Sequence, residues 1–177
     1  MMDEEKFWAL IEEARRILAA SVGPEGYPQR SDTDALGEAL ATLSPQEIIE
    51  FKLRLLERMN AAYHWDVWAA LAIIEGAAGD DSFEHFRAEL ILLGREAFEA
   101  ALRDADSLAD LDTLPWGNEG LIYVPAKVYE TKTGQEFPYA EVFEAFPHPD
   151  QPAGVPWEEE DLATRLPRLW ATFNDEE

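Results

Sequence analysis

The chain is expected to be all-α: one compact multi-helix domain over residues 1–177, with a long Pro-rich loop near the C-terminus. Three observations carry this expectation. Apolar residues recur at helical spacing along most of the sequence. Helix-start signals stand before several of those runs. No pair of segments alternates as two strands do, and Val22 and Val155 fall in loops. With 177 residues, 47% of them apolar, and six Trp and nine Phe, the chain has material for a hydrophobic core.

The first helix is expected over Asp3 to Ala20, where Phe7, Ile11, Ala14 and Leu18 share a face. Asp3, Glu4 and Glu5 suit its positive N-terminal end. Ser21 to Ser31, interrupted by Pro24 and Pro28, reads as a loop. A short helix follows from Asp32 to Thr42 with Leu36 and Leu40 inward. Ser44-Pro45-Gln46-Glu47 is a helix start: a capping Ser, a Pro at the first helical position and a Glu placed to reach back. That helix should run to about Tyr63, with Ile48, Phe51 or Lys52, Leu55, Met59 and Ala62 along its stripe. Lys52, Arg54 and Arg58 give it unusual positive charge for this sequence.

The segment from Trp65 to Ala78 is apolar nearly all round, which predicts a central helix. Asp81 is placed as the N-cap of the next helix, whose Phe83, Phe86, Leu90 and Leu93 face inward until Gly94 ends or bends it. Asp104 to Gly117 reads as loop with one turn around Ser107-Leu111. Glu119 to Lys132 reads as a helix stopped by Gly134, and Pro125 predicts a kink or a late start. Pro138 to Pro156 is the Pro-rich loop, holding Phe143, Phe146 and His148 and expected to strap the helices. Glu158 to Phe173 closes the chain as one or two short helices around Pro167.

The net charge is −23, from 37 acidic and 14 basic residues. Such a surface repels phosphate backbones and anionic membranes, so neither nucleic acid nor a membrane surface is an expected partner. A basic protein or peptide is. There is no Cys, which removes disulfides, thiolate catalysis and Cys-ligated metals. The acidic start Met1-Met2-Asp3-Glu4-Glu5 differs from a signal peptide and no apolar run is long enough to span a bilayer, so the expected compartment is the cytoplasm. Three scattered His, at 64, 85 and 148, do not match a zinc site, and no metal or cofactor is expected. The oligomeric state stays open: an aromatic patch from Phe137 to Trp157 would either mediate a dimer or strap the helices, and the strap is favoured.

The densest chemistry lies between Tyr63 and Arg95. Asp80, Asp81, His85 and Arg87 are the catalytic candidates; Asp81 and His85 are four apart and share a helical face. Against this stands a structural reading in which Asp81 caps its helix and Arg87 pairs with Asp66 of a neighbouring helix. Tyr63, Trp65, Asp66, Trp68 and Arg87 are the ligand-binding candidates, since Trp65 and Trp68 share one side of a helix and with Tyr63 would make an aromatic wall. The alternative is that these rings anchor the core.

Several segments together resemble the bacterial family known as domain of unknown function 4240: EEKFWALIEEAR, SPQEIIEF, AYHWDVWAA, GDDSFEHFRAELILLGREAFEAAL, ADSLADL, Trp157-Glu-Glu-Glu-Asp-Leu and Leu166-Pro-Arg-Leu-Trp. The chain keeps the family's Trp65-Asp66, Trp68-Ala69-Ala70, Asp80-Asp81, Phe83, Phe86 and Arg87. It departs where a Gly-Gly-Cys-Ser segment becomes Gly76-Ala77-Ala78-Gly79, so no thiol role carries over. The resemblance implies a helical cytoplasmic domain of bacterial type and assigns no activity. The leading functional expectation is therefore a non-enzymatic, acidic interaction or regulatory module. The rival is a small carboxylate-dependent hydrolase, metal-assisted or not, built on Asp80, Asp81, His85 and Arg87. Mimicry of DNA by an acidic ridge is a third class.

Overall fold

Several of the predicted helix starts and stops recur in a computed structural model that describes residues 1–76, 79–115 and 120–174. The protein is all-α. Its helices are α1 Glu4–Ala20, α2 Asp32–Ala41, α3 Pro45–Ala61, α4 Trp65–Glu75, α5 Asp80–Leu92, α6 Arg95–Arg103, α7 Val124–Thr133, α8 Tyr139–Ala145, α9 Leu162–Arg165 and α10 Pro167–Asn174. Short 3-10 turns cover Ala105–Asp110, Leu121–Tyr123 and Glu159–Asp161. Among the described residues the only extended pairings are the isolated bridges Val22 with Pro28 and His64 with Ala153.

Local chemistry explains these boundaries. Asp3 accepts from the N–H groups of Glu5 and Lys6 and caps α1. Ser44 and Glu47 form the expected reciprocal cap of α3: the Ser44 N–H donates to Glu47 Oε2 at 2.8 Å, and the Glu47 N–H to Ser44 Oγ at 3.4 Å. Gly76 (φ 75°) and Gly134 (φ 67°) end α4 and α7 in the left-handed region, which favours glycine. Pro125 falls in the first turn of α7, where its missing N–H has no intrahelical partner to lose, so the outcome is a late start rather than a kink. Two expectations are corrected. Gly79, not Asp81, is the N-cap of α5, and no side chain caps it. The Pro-rich stretch is not all loop: Pro138 precedes α8, and Pro147 and Pro149 follow its end. The helix from Trp65, expected to about Ala78 with Gly76 or Gly79 at its end, runs to Glu75 and takes Gly76 as its C-cap. Ala77 and Ala78, like the Gly117 end of the expected loop and the expected helix start at Glu119, lie outside the described residues.

Contacts divide the chain into two compact units, Met1–Arg58 with Glu119–His148, and Met59–Asn118 with Pro149–Glu177. In the first, α1 packs on α2, and Phe7, Ile11, Leu36, Leu40, Ile48 and Phe51 are buried. The positive charge of α3 is spent on ties. Lys52 donates to the Ile122 carbonyl at 2.8 Å, Arg54 to the Met2 carbonyl at 2.7 Å, and Arg58 pairs with Glu4 at 3.4 Å. A satellite cluster of Ala126, Phe137 and Val142 joins α7 to α8. In the second unit α4 is buried from Ala69 through Ile74, as its all-round apolarity predicts, with Phe83, Phe86, Leu90, Ile91, Phe98 and Leu169 completing the core.

Candidate functional site

The polar residues of the central run do not converge. Arg87 is 3% exposed, and its guanidinium lies 4.7 and 4.9 Å from the ring centres of Tyr63 and Phe83. Its Nη1 donates to the Met59 carbonyl at 3.0 Å and its Nε to the Phe83 carbonyl at 3.2 Å. Met59 stands in the last turn of α3, where a carbonyl has no donor within the helix, so Arg87 supplies one. Burial pushes the Arg87 pKa down to about 10.

The expected Arg87–Asp66 pair is therefore corrected. Asp66 stands in the first turn of α4 and takes Arg165, whose Nε lies 2.5 Å from its Oδ1. The same guanidinium donates to the carbonyls of Val155 and Pro156, at 2.6 and 3.3 Å. It thereby ties the segment before Trp157 to α4, and Trp157 Nε1 adds a bond to the Trp65 carbonyl at 2.9 Å. His64 Nδ1 accepts from the Asp66 N–H at 3.2 Å and caps α4. It also lies 3.5 Å from Asp66 Oδ2. A ring nitrogen that accepts an N–H carries no proton, so the capping bond, and not an ion pair, describes this geometry. Gly154 (φ 88°) lies against the imidazole: a Cβ there would come within 2.5 Å of His64 Cε1.

Asp80 and Asp81 are exposed in the first turn of α5, where carboxylates favour the helix dipole. Among the described residues no hydrogen bond or ion pair joins them to His85 or Arg87. The electrostatic neighbour of His85 is Glu75, whose carboxyl burial raises and His85 lowers, with burial the larger effect. The expected aromatic wall is a stack with its inner faces filled. Trp65 lies on Trp68 (5.3 Å between centres), Trp68 on Phe83 (4.7 Å) and Phe83 on Tyr63 (5.8 Å). A cavity of about 150 Å³ remains beside the start of α4, lined by His64, Asp66, Arg103, Asp104 and Arg165. Among the described residues no group of three His, Cys, Asp or Glu could hold a metal ion, and no helix is long and apolar enough to cross a membrane.

The larger features lie in the first unit, around α7. One side of α7 faces α2 across a groove of about 630 Å³, floored by Gly37, Val124 and Val128, with Tyr123, Lys127 and Asp34 among its polar lining. The other side carries Ala126 and Tyr129 onto the satellite cluster. From there a ladder of rings climbs to the surface: Tyr129 to Phe137 at 5.4 Å, Phe137 to Tyr139 at 5.0 Å, Tyr139 to Phe143 at 6.0 Å. Phe137 is buried, whereas Phe143 is 51% exposed and Tyr123 54%. Glu130, Glu136, Glu141 and Glu144 are exposed along the same stretch, and the first two act on Tyr139. Burial raises the Tyr139 pKa, with further contributions from Glu130, Tyr123 and Glu136. The groove was not singled out from the sequence; the second feature was anticipated only as an aromatic patch between Phe137 and Trp157, read as a strap.

A family model described as Protein of unknown function (DUF4240) matches residues 2–131. The chain belongs to the DUF4240 family. The DUF4240 match takes in the whole Trp-rich run and most of α7. It stops short of Arg165 and of the C-terminal segments Trp157-Glu-Glu-Glu-Asp-Leu and Leu166-Pro-Arg-Leu-Trp. Asp66, Phe83 and Arg87, which lie within the matched residues, are occupied in holding helices together. No curated protein and no solved structure matches the chain.

Proposed function

We propose that the protein is a non-enzymatic interaction module that binds a basic protein or peptide, with the aromatic shelf of Tyr139 and Phe143 as the contact. The observation that carries this reading is Phe143: a half-exposed ring stacked on Tyr139, which Glu130 and Glu136 also approach, at the outer end of a ladder anchored on buried Phe137. An exposed large aromatic set on a rigid base is the kind of anchor that dominates binding energy in protein interfaces. Ring faces in a field of carboxylates suit an ammonium or guanidinium group, through cation–π attraction and charge together. The net charge of −23 speeds the approach of such a partner.

The hydrolase reading has less support. It needs Asp80, Asp81, His85 and Arg87 within about 3 Å of one another or of a common ligand, and Arg87 is turned onto backbone carbonyls instead. A titration with a Lys/Arg-rich peptide by calorimetry, at low and at moderate salt, tests the interaction reading. Binding weakened by salt and at least tenfold by Phe143→Ala supports it. Binding that is indifferent to Phe143→Ala reduces it to nonspecific attraction, and no binding removes it. The exposed position of Phe143 makes that variant a safe one for the fold.

A further inference from the structure

Almost every cation in this chain is spoken for. Lys6, Arg15, Arg16, Arg30, Arg54, Arg58, Arg95, Arg165 and Arg168 meet carboxylates, and Lys52, Arg87 and Lys132 meet backbone carbonyls. Among the described residues Lys127 and Arg103 alone have neither a hydrogen bond nor an ion pair, and each lines a cavity. The Arg103 cavity is small, and its neighbour Arg165 is already engaged three times. The Lys127 groove is larger and has an apolar floor.

We propose that the groove between α2 and α7 binds a small amphipathic carboxylate, its tail on Gly37, Val124 and Val128 and its carboxylate at Lys127. The volume of about 630 Å³ suits such a molecule, since ligand clefts run from roughly 300 to 1,000 Å³ and combine apolar walls with few polar groups. Gly37 marks where α2 closes on α7 beside the groove: a Cβ there would already meet Val124 and Val128 at 3.8 and 3.9 Å, ordinary contact distances, so the further atoms of a longer side chain must intrude on the groove or its valines.

Charge selects the head group. Lys132 Nζ is held by the Ala41 carbonyl at 2.8 Å, at the end of α2, which leaves Lys127 to meet the ligand. Asp34, the carboxylate on the opposite wall, accepts from Ser31 Oγ at 2.8 Å, and those bonds with Ser31 hold its carboxyl below the usual range. It stays ionised and its charge acts on Lys127 across the groove, so the ligand's carboxylate competes with Asp34 for that ammonium. The overall negative charge does not forbid the anion. At physiological salt, charges beyond about 8 Å are largely screened, so the groove's own groups decide. This inference stands on Lys127 and the groove, independently of the aromatic shelf.

Calorimetric titration of the intact chain with decanoate, decanol and decyltrimethylammonium tests it. Decanoate is expected to bind once per chain and at least tenfold more tightly than the other two. Lys127→Gln should erase that preference and Lys127→Arg keep it. Gly37→Leu should abolish binding while circular dichroism reports an unchanged helix content. If Gly37→Leu fails to fold, Val128→Phe narrows the groove from the other wall and must weaken binding likewise. Absence of decanoate binding overturns the proposal. So does binding unaffected by Lys127→Gln, or tighter binding of the cationic probe.

Discussion

Arg87 shows how a residue that reads as chemistry serves as a brace. Its charge is nearly sealed from water, yet the groups it bonds or lies on are the negative end of α3 and two ring faces, while the carboxylate of Glu84 acts on it only through its charge. Arginine suits that place because its planar fork bonds two carbonyls while lying flat on rings. Arg87→Ala leaves both carbonyls without this donor and opens a void, and is expected to cost about 2–4 kcal/mol in urea unfolding. Arg87→Lys should recover only part of this, having a single point of charge in place of a fork. Recovery to native stability by Lys would show that charge alone matters there. The sequence offered an Arg on a buried helix and a nearby Asp. Nothing in residue spacing says that Asp66 is taken from beyond, by Arg165, 99 positions on.

Two helix starts carry the argument at the scale of elements. The start of α3 is local: Ser44 and Glu47 are three apart, and the pattern was legible. Bonds from Lys6 first, then from Ser44, lower the Glu47 pKa from 4.5 to about 2. A carboxylate whose pKa falls on folding stabilises the fold above its unfolded pKa, and loses that effect as pH drops through the folded value. Acid titration should therefore show a stability loss between pH 4.5 and 2 that is shallower in Glu47→Gln. Equal slopes would remove the assignment.

The start of α10 is remote. Asp106, 7% exposed in the 3-10 turn Ala105–Asp110, accepts from the N–H groups of Arg168 and Leu169 at 3.1 and 2.9 Å. Arg168 also pairs with Asp106 and Asp110. Asp106→Ala is expected to cost about 1–3 kcal/mol, and to raise amide exchange in α10 ahead of the other helices. Uniform exchange would contradict it. A cap supplied 62 residues away leaves no motif to read. Prolines misled in the same way around α8. A Pro marks an end, and it takes the chain's course to tell whether a helix stands between two of them.

For the whole molecule, charge is the property that sequence alone delivers. With a net −23, self-repulsion opposes folding and salt screens it. The thermal midpoint should rise as NaCl goes from low to physiological concentration. A falling midpoint would mean that the surface ion pairs, each worth at most about 1 kcal/mol, outweigh the repulsion. The same charge reading favoured a basic partner, but it could not say which surface such a partner meets. The surface proposed for it, the outer end of the ring ladder at Phe143, comes into being only when α8 stacks Phe143 on Tyr139.

The sequence by itself determined the helical class, the family, the buried α4 and the cap of α3, because helix periodicity and capping act over three or four residues. The tertiary structure decided which charges are used up. Arg87, Asp66 and Asp106 are claimed by partners distant along the chain, whereas Lys127 is left on the wall of a groove. Such outcomes depend on which groups are brought within about 3 Å of each other, a quantity set by packing rather than by spacing along the chain.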